Sequence, residues 1–112
     1  MLNNNLLHVA EFAKKLKVTP AAVLYWIKNK LLPENSILNI GSIRIRRNIF
    51  ENHYNVNLDY ILTYEEAAKI LRTSKGNIKV LFSRKQLPED LRIKIIGTTR
   101  IKGDLLEKFI MG

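Results

Sequence analysis

The chain is written twice. Residues 7–40, moved forward by 55 places, fall on residues 62–95 with ten identities in 34 positions. Leu7, Glu11, Ala13, Lys14 and Leu16 meet Leu62, Glu66, Ala68, Lys69 and Leu71, and Lys30, Leu32, Pro33, Glu34 and Ile40 meet Lys85, Leu87, Pro88, Glu89 and Ile95. Average residue usage gives about two such matches by chance. Beyond Ile40 the offset becomes 56, so that Gly41, Arg44, Ile45 and Glu51 meet Gly97, Arg100, Ile101 and Glu107; a one-residue insertion at that point fits a loop. The repeat constrains the fold more than any other feature, because a module of about 50 residues must explain both halves.

A chain of 112 residues ordinarily forms one domain. Here the repeat divides it into units 1–56 and 57–112, joined near residues 54–61. Units this short bury a small share of their surface and are marginal alone, so the two are expected to pack on each other. Tyr54, Val56, Leu58, Tyr60 and Ile61 make the junction too apolar for a flexible spacer.

Within unit 2, Thr63 followed by Glu66 is a capping box, and Ala67, Ala68, Ile70 and Leu71 make a short helix stopped by Thr73-Ser74. Ser74 then caps a second helix over residues 74–87, with Ile78, Leu81, Phe82 and Lys85 on one face and Pro88 as its end. Unit 1 repeats the plan: a helix from Val9 to Leu16, then Thr19 as N-cap and Pro20 at the first helical position, with Val23, Trp26 and Ile27 facing inward. Two short helices joined by a tight turn are a helix-turn-helix. Ile37–Ile40 and Ile43–Arg46 flank Gly41-Ser42, and Arg92–Ile96 and Thr99–Lys102 flank Gly97-Thr98, which predicts a hairpin in each unit. A closing helix follows each hairpin, Asn48–His53 and Leu105–Ile110, the second capped by Asp104 with Leu105, Leu106 and Phe109 turned inward. The expected fold is α+β: mainly α with small β-hairpins, as tandem winged helix-turn-helix repeats.

These residues resemble the excisionase and MerR-like winged helix-turn-helix domains. The resemblance rests on LTYEEAAKIL and IGTTRIKGDLLEKF in unit 2 and on VTPAAVLYWIKNKLLP and IGSIRIRRNIFEN in unit 1, and it covers nearly the whole chain. It implies a DNA-binding protein, either an excisionase-like architectural factor of a mobile element, active in DNA recombination, or a small factor in transcription regulation. The chain departs from the pattern where the second helix meets its target. Leu24-Tyr25 and Lys79-Val80 stand where the family often has two basic residues, and Lys30 replaces the glycine before the Leu-Pro, with Lys85-Gln86 at the corresponding place in unit 2. No long dimerisation helix follows unit 1, which argues against the effector-sensing metal regulators of the MerR type.

Charge supports an anionic partner. The net charge is +9, from 8 Lys or Arg and 3 acids in residues 1–58 and 11 and 7 in residues 59–112, so neither half is a basic tail on a neutral body. The chain has no Cys, which removes thiolate metal sites, disulfides and thiol catalysis. No signal-peptide pattern and no long apolar run point to secretion or a membrane, so a cytoplasmic location is expected.

In a winged helix-turn-helix the second helix enters the major groove, where base edges carry distinct donor and acceptor patterns. The outward face in unit 2 holds Lys75, Gly76, Asn77, Lys79, Val80, Ser83 and Arg84: Asn77 suits adenine, Arg84 guanine or phosphate, and Lys79 phosphate. In unit 1 it holds Ala21, Ala22, Tyr25, Lys28 and Asn29 with Leu24 beside them, a less polar set that suits thymine methyls or, equally, a protein or a second copy of the chain through Leu24 and Tyr25. The wings add Arg44, Arg46 and Arg47 in unit 1 and Arg100 and Lys102 in unit 2, placed to follow phosphates or enter a narrow minor groove. The competing role for Arg44 and Arg100 is an internal salt bridge to Glu51 or Glu107.

Nothing in the chain reads as an enzyme. His8 and His53 lack counterparts in the other unit, Glu11, Glu66, Glu51 and Glu107 fall where they serve caps or charge balance, and no phosphate-binding Gly loop or metal-spaced cluster occurs. No cofactor is expected. The partner expected is double-stranded DNA; the alternative is an adaptor that docks a protein through the apolar unit 1 helix face.

Overall fold

Caps decide where the helices start. Thr63 Oγ1 accepts the Glu66 N–H at 3.1 Å while the Glu66 carboxylate accepts the Thr63 N–H at 2.9 Å, satisfying two donors that a helix start leaves open. Glu11 does the same for the His8 N–H at 3.0 Å, Thr19 accepts from Ala22 at 3.1 Å and Ser74 from Asn77 at 3.2 Å. In the computed structural model, which describes residues 5–112, these starts yield two units with one plan, Met1–Asp59 and Tyr60–Gly112. Unit 1 runs β1 (Leu6–His8), α1 (Val9–Leu16), α2 (Pro20–Lys28), β2 (Ile37–Asn39), β3 (Ile43–Arg46) and α3 (Arg47–Tyr54). Unit 2 runs β4 (Ile61–Leu62), α4 (Tyr64–Ile70), α5 (Lys75–Ser83), a 3-10 turn at Glu89–Leu91, β5 (Arg92–Ile95), β6 (Thr98–Lys102) and α6 (Gly103–Met111). The described residues thus form an α+β fold of six α-helices and two antiparallel sheets.

Each sheet has three strands, one more than the expected hairpin. The order is β1-β3-β2 in unit 1 and β4-β6-β5 in unit 2, with Leu7 opposite Ile45 and Leu62 opposite Ile101. The added strands, three and two residues long, are too short for an alternating pattern to be seen in sequence. The extra residue of unit 2 lengthens its ladder: Ile95 pairs with Thr98 across the two-residue tip Ile96-Gly97, whereas in unit 1 the last pair is Asn39 with Ile43 and residues 40–42 form the tip. Ile37 opposite Ile45 and Arg92 opposite Ile101 keep the same register on either side of it.

The helices of each pair end earlier than the apolar spacing predicts in unit 2. Leu71 caps α4 and Arg84 caps α5, so Lys85 lies beyond the helix and not on its inner face. The cause is a left-handed residue after each helix: Arg72 at φ 57° and Lys85 at φ 59°, matched in unit 1 by Lys17 at 60° and Lys30 at 55°. The next N–H turns back into the last turn, Thr73 to the Ala68 carbonyl and Gln86 to that of Leu81, both at 2.9 Å, which closes the helix in the manner of a Schellman motif.

The cores are repeat-equivalent. Leu7, Ala13, Val23, Ile45 and Phe50 are buried in unit 1, and Leu62, Ala68, Ile78, Ile101 and Leu106 in unit 2. Phe12 packs edge-on against Phe50 at 4.8 Å between centroids. The closing helices differ from expectation at both ends. They begin at Arg47 and Gly103, which puts Asp104 inside the first turn, where its carboxylate accepts the Leu105 N–H at 2.9 Å. Phe109 is 43% exposed instead of turned inward: α6 packs against β6 and the 3-10 turn with Gly103 and Leu106 buried, and the last turn, with Ile110 and Met111, is exposed.

One seam is closed by different chemistry in the two units. In unit 1, Arg47 donates to Asp59 at 2.8 Å and pairs with Glu51 at 3.1 Å, Lys15 reaches Asp59 at 2.6 Å, and the Leu58 N–H donates to Glu51 at 2.8 Å. In unit 2 the position equivalent to Arg47 is Gly103, where a Cβ would sit 2.1 Å from the Tyr60 ring; the ring occupies the space, and burial, then the neighbouring Glu107 carboxylate, pushes the Tyr60 hydroxyl above its ordinary pKa.

Candidate nucleic-acid interface

The second helix of unit 2 presents a polar, basic face because its apolar residues are used inside. Ile78 and Phe82 are buried and Leu81 half-buried, which leaves Lys75, Gly76, Lys79, Ser83 and Arg84 exposed along α5, with Val80 among them. Lys75 and Lys79 are one helical turn apart and share a side. Asn77 departs from the expected role. It is half-buried and its side-chain N–H donates to Thr73 Oγ1 at 2.8 Å, so a two-bond contact with adenine, which uses both the amide N–H and the amide oxygen, competes with an internal bond.

Lys75 and Lys79 line an open cleft of about 590 Å³ together with Arg92 from β5 and Thr99 and Arg100 from β6. The start of α4 closes it with Thr63, Tyr64 and Glu65. Four cationic side chains thus meet one carboxylate and three hydroxyls. Arg92 is already engaged: Glu89 takes it through two bonds, Tyr64 Oη accepts at 3.1 Å, and its guanidinium lies 4.5 Å from the Phe82 ring centroid. Glu89, and after it Tyr64, hold the Arg92 pKa above its ordinary value. Burial lowers that of Arg100, opposed by the charge of Glu66, and its guanidinium donates to the Thr99 carbonyl at 2.9 Å. Lys102, the remaining wing residue, ends β6 opposite Ile61 and is half-buried, outside the lining of the cleft.

Sequence reasoning placed Lys75, Lys79 and Arg100 in the interface and the fold brings them to one cleft. It missed Arg92, Thr63, Tyr64, Glu65 and Thr99. The Glu89–Arg92 spacing of three was a readable sign that Arg92 is held in place; the hydroxyl groups carry no such sign, because only the folded sheet brings β6 beside α4.

No protein-family model, curated protein or solved structure matches the chain. Unit 1 offers an internal comparison. Along α2, Leu24 is 53% and Tyr25 62% exposed, with Lys28 and Asn29 also exposed; the Asn29 side chain donates to the Tyr25 carbonyl at 2.8 Å and finishes the helix. Arg44 lies half-buried on the wing with bonds to Ser42 Oγ at 2.8 Å and the Ile43 carbonyl at 3.1 Å, and Glu51 pairs with Arg47, not with Arg44. Arg46 donates to the Asn35 and Ile37 carbonyls at 2.6 and 3.1 Å. Arg47 does not belong to the wing: it is the first residue of α3, and Asp59 and then Glu51 hold its pKa above the ordinary value. Arg46 on the wing and Arg47 on α3 are thus both engaged within their own unit.

No helix among the described residues is long and apolar enough to cross a membrane.

Proposed function

We propose that the chain is a sequence-specific double-stranded DNA-binding protein built from two winged helix-turn-helix units, acting as an excisionase-like architectural factor or a small transcriptional regulator. The observation that carries this reading is the exposed basic side of α5, beside a sheet that brings Arg100 to the same cleft as Lys75 and Lys79. The net charge of +9 and the order strand, helix, helix, two strands, helix in each unit support it. Base contacts fall to Ser83 and Arg84 at the end of α5, and phosphate contacts to Lys75, Lys79, Arg100 and Lys102. The test is binding to random duplex DNA over a range of salt. Several Lys and Arg on phosphates require log K to fall steeply and linearly with log salt; no binding at low salt sinks the reading.

A second reading is favoured by one observation, the exposure of Leu24 and Tyr25 on α2. In it unit 1 docks a protein, and the chain is an adaptor. Comparing Lys79→Ala with Arg84→Ala against Tyr25→Ala separates the two: loss of duplex binding from the lysine and arginine changes supports the first, and loss from the tyrosine change alone overturns unit 2 as the main reader.

A further inference from the structure

The cleft of unit 2 has no chemical counterpart at the equivalent place in unit 1. Lys75, Lys79, Arg92 and Thr99 correspond to Pro20, Leu24, Ile37 and Ile43, and Glu65 to Ala10; only Arg100 keeps its type, as Arg44. The same scaffold thus presents cations and hydroxyls once and apolar side chains once. Surface lysines that merely keep a protein soluble have no reason to gather in one recess facing arginines, since like charges repel there. Lys75 and Lys79 are exposed and in no ion pair with a described residue.

We propose that this cleft, formed by the starts of α4 and α5 and the β5–β6 hairpin, is the seat of a phosphate ester, with Lys75, Lys79 and Arg100 as its cationic contacts. The inference rests on the DNA-binding reading in taking the ester to be a phosphodiester of the duplex backbone. The cleft is open to solvent, as a continuous polymer requires, and an ammonium pair on one helix turn meets a phosphate from one side while the sheet arginine meets it from the other. Thr63 and Thr99 supply hydroxyl donors. Arg92 contributes charge, but its guanidinium stays with Glu89 and Tyr64 and acts as a wall. Glu65, on the rim, opposes the anion and weakens every phosphate that enters; an ordinary solvated surface would give it no such effect.

The experiment uses the full chain, fluorescence anisotropy with a short random duplex, and four proteins: wild type, Lys75→Ala/Lys79→Ala, Glu65→Gln and the control Lys108→Ala on α6. Thermal unfolding of each is measured alongside, and all the altered positions are exposed, so the folds are expected to coincide. For the double variant, affinity falls at least about tenfold at low salt and the salt slope shrinks by about two. Glu65→Gln binds several-fold more tightly, and Lys108→Ala changes neither quantity. A wild type that binds with a slope the double variant leaves unchanged overturns the seat and leaves the DNA reading standing, as does an equal loss from Lys108→Ala. If the wild type fails to bind the duplex, the DNA reading falls by itself, and adenosine monophosphate then decides the seat. Amide shifts confined to residues 63–65, 75–79 and 99–100 on its addition retain the cleft as a site for a free phosphate ester; their absence overturns it.

Discussion

Ile96 sits at φ 49° with Gly97 at 82°, the two left-handed positions of a two-residue hairpin turn. Glycine and asparagine take that conformation readily, whereas a β-branched side chain crowds its own backbone there. Ile96→Asn is expected to raise stability by about 1 kcal/mol, seen as a melting temperature higher by about 4–8 °C; an unchanged or lower value would mean that the half-buried isoleucine is worth more in packing than it costs in backbone strain. Gly103 poses the opposite constraint, since a single methyl there collides with the Tyr60 ring. Gly103→Ala should destabilise the protein by about 1–3 kcal/mol in denaturant unfolding, and Tyr60→Ala combined with it should recover part of that loss, because the ring that clashes is then gone. Neither effect was visible in sequence. Ile96 reads as the end of a strand in the pattern Arg92 to Ile96, and nothing in GDLLEKF says which side chain will lie over the glycine.

At the scale of elements, much was legible because caps and breakers act locally. Thr63-x-x-Glu66, Thr19-Pro20 and Ser74 mark three helix starts, and α1 spans Val9–Leu16 as its apolar spacing predicts. The helix stops were less so. Lys30 and Lys85 occupy left-handed positions where glycine is the usual signal, and with lysine there the chain gives no local cue, so α5 reads longer than it is. The first strands, two or three residues each, acquire their identity only from the partners β3 and β6. The closing helix of unit 1 carries a dependence on acidity. Arg47, and after it Lys15, hold the Asp59 carboxyl down at about 2, below its value in the unfolded chain. A carboxylate depressed on folding stabilises the fold above the unfolded pKa of about 3.9 and loses that contribution as pH falls toward its folded value. Wild-type stability should therefore drop between about pH 4 and pH 2, and Asp59→Asn should be less stable at neutral pH but flatter across that window. A drop of equal size in the variant would assign the acid sensitivity to other carboxylates.

For the whole molecule, duplication followed by divergence is the main fact. Both units keep Leu7/Leu62, Val23/Ile78 and Ile45/Ile101 buried, so the scaffold is conserved between copies where packing demands it. They diverge where side chains face solvent: α5 offers lysine and arginine, α2 leucine and tyrosine. Under the proposed DNA-binding role, unequal helix faces predict an unequal target. Selection of bound sites from a random DNA library should return one unrepeated motif with a weaker flank; two equal half-sites about one helical turn apart would show that α2 reads DNA as well as α5 does. The charge total of +9 favours an anionic partner, but it divides almost evenly between the halves and hid this asymmetry. Only the folded positions of Arg46 and Arg47, turned inward to carbonyls and carboxylates, show that part of the positive charge of unit 1 is spent on its own closure.

The seam that Arg47 closes with ions and Tyr60 closes with a ring also sets how each copy tolerates mutation. An ionic closure centred on the exposed Asp59 accepts many substitutions at modest loss, since Arg47 and Asp59 each have a second partner and water replaces what is removed. A ring seated on a bare backbone accepts almost none, because its fit is a matter of volume. Saturation mutagenesis across the two seams should recover functional variants at residues 47 and 59 far more often than at residue 103, leaving the ionic copy the freer of the two to drift.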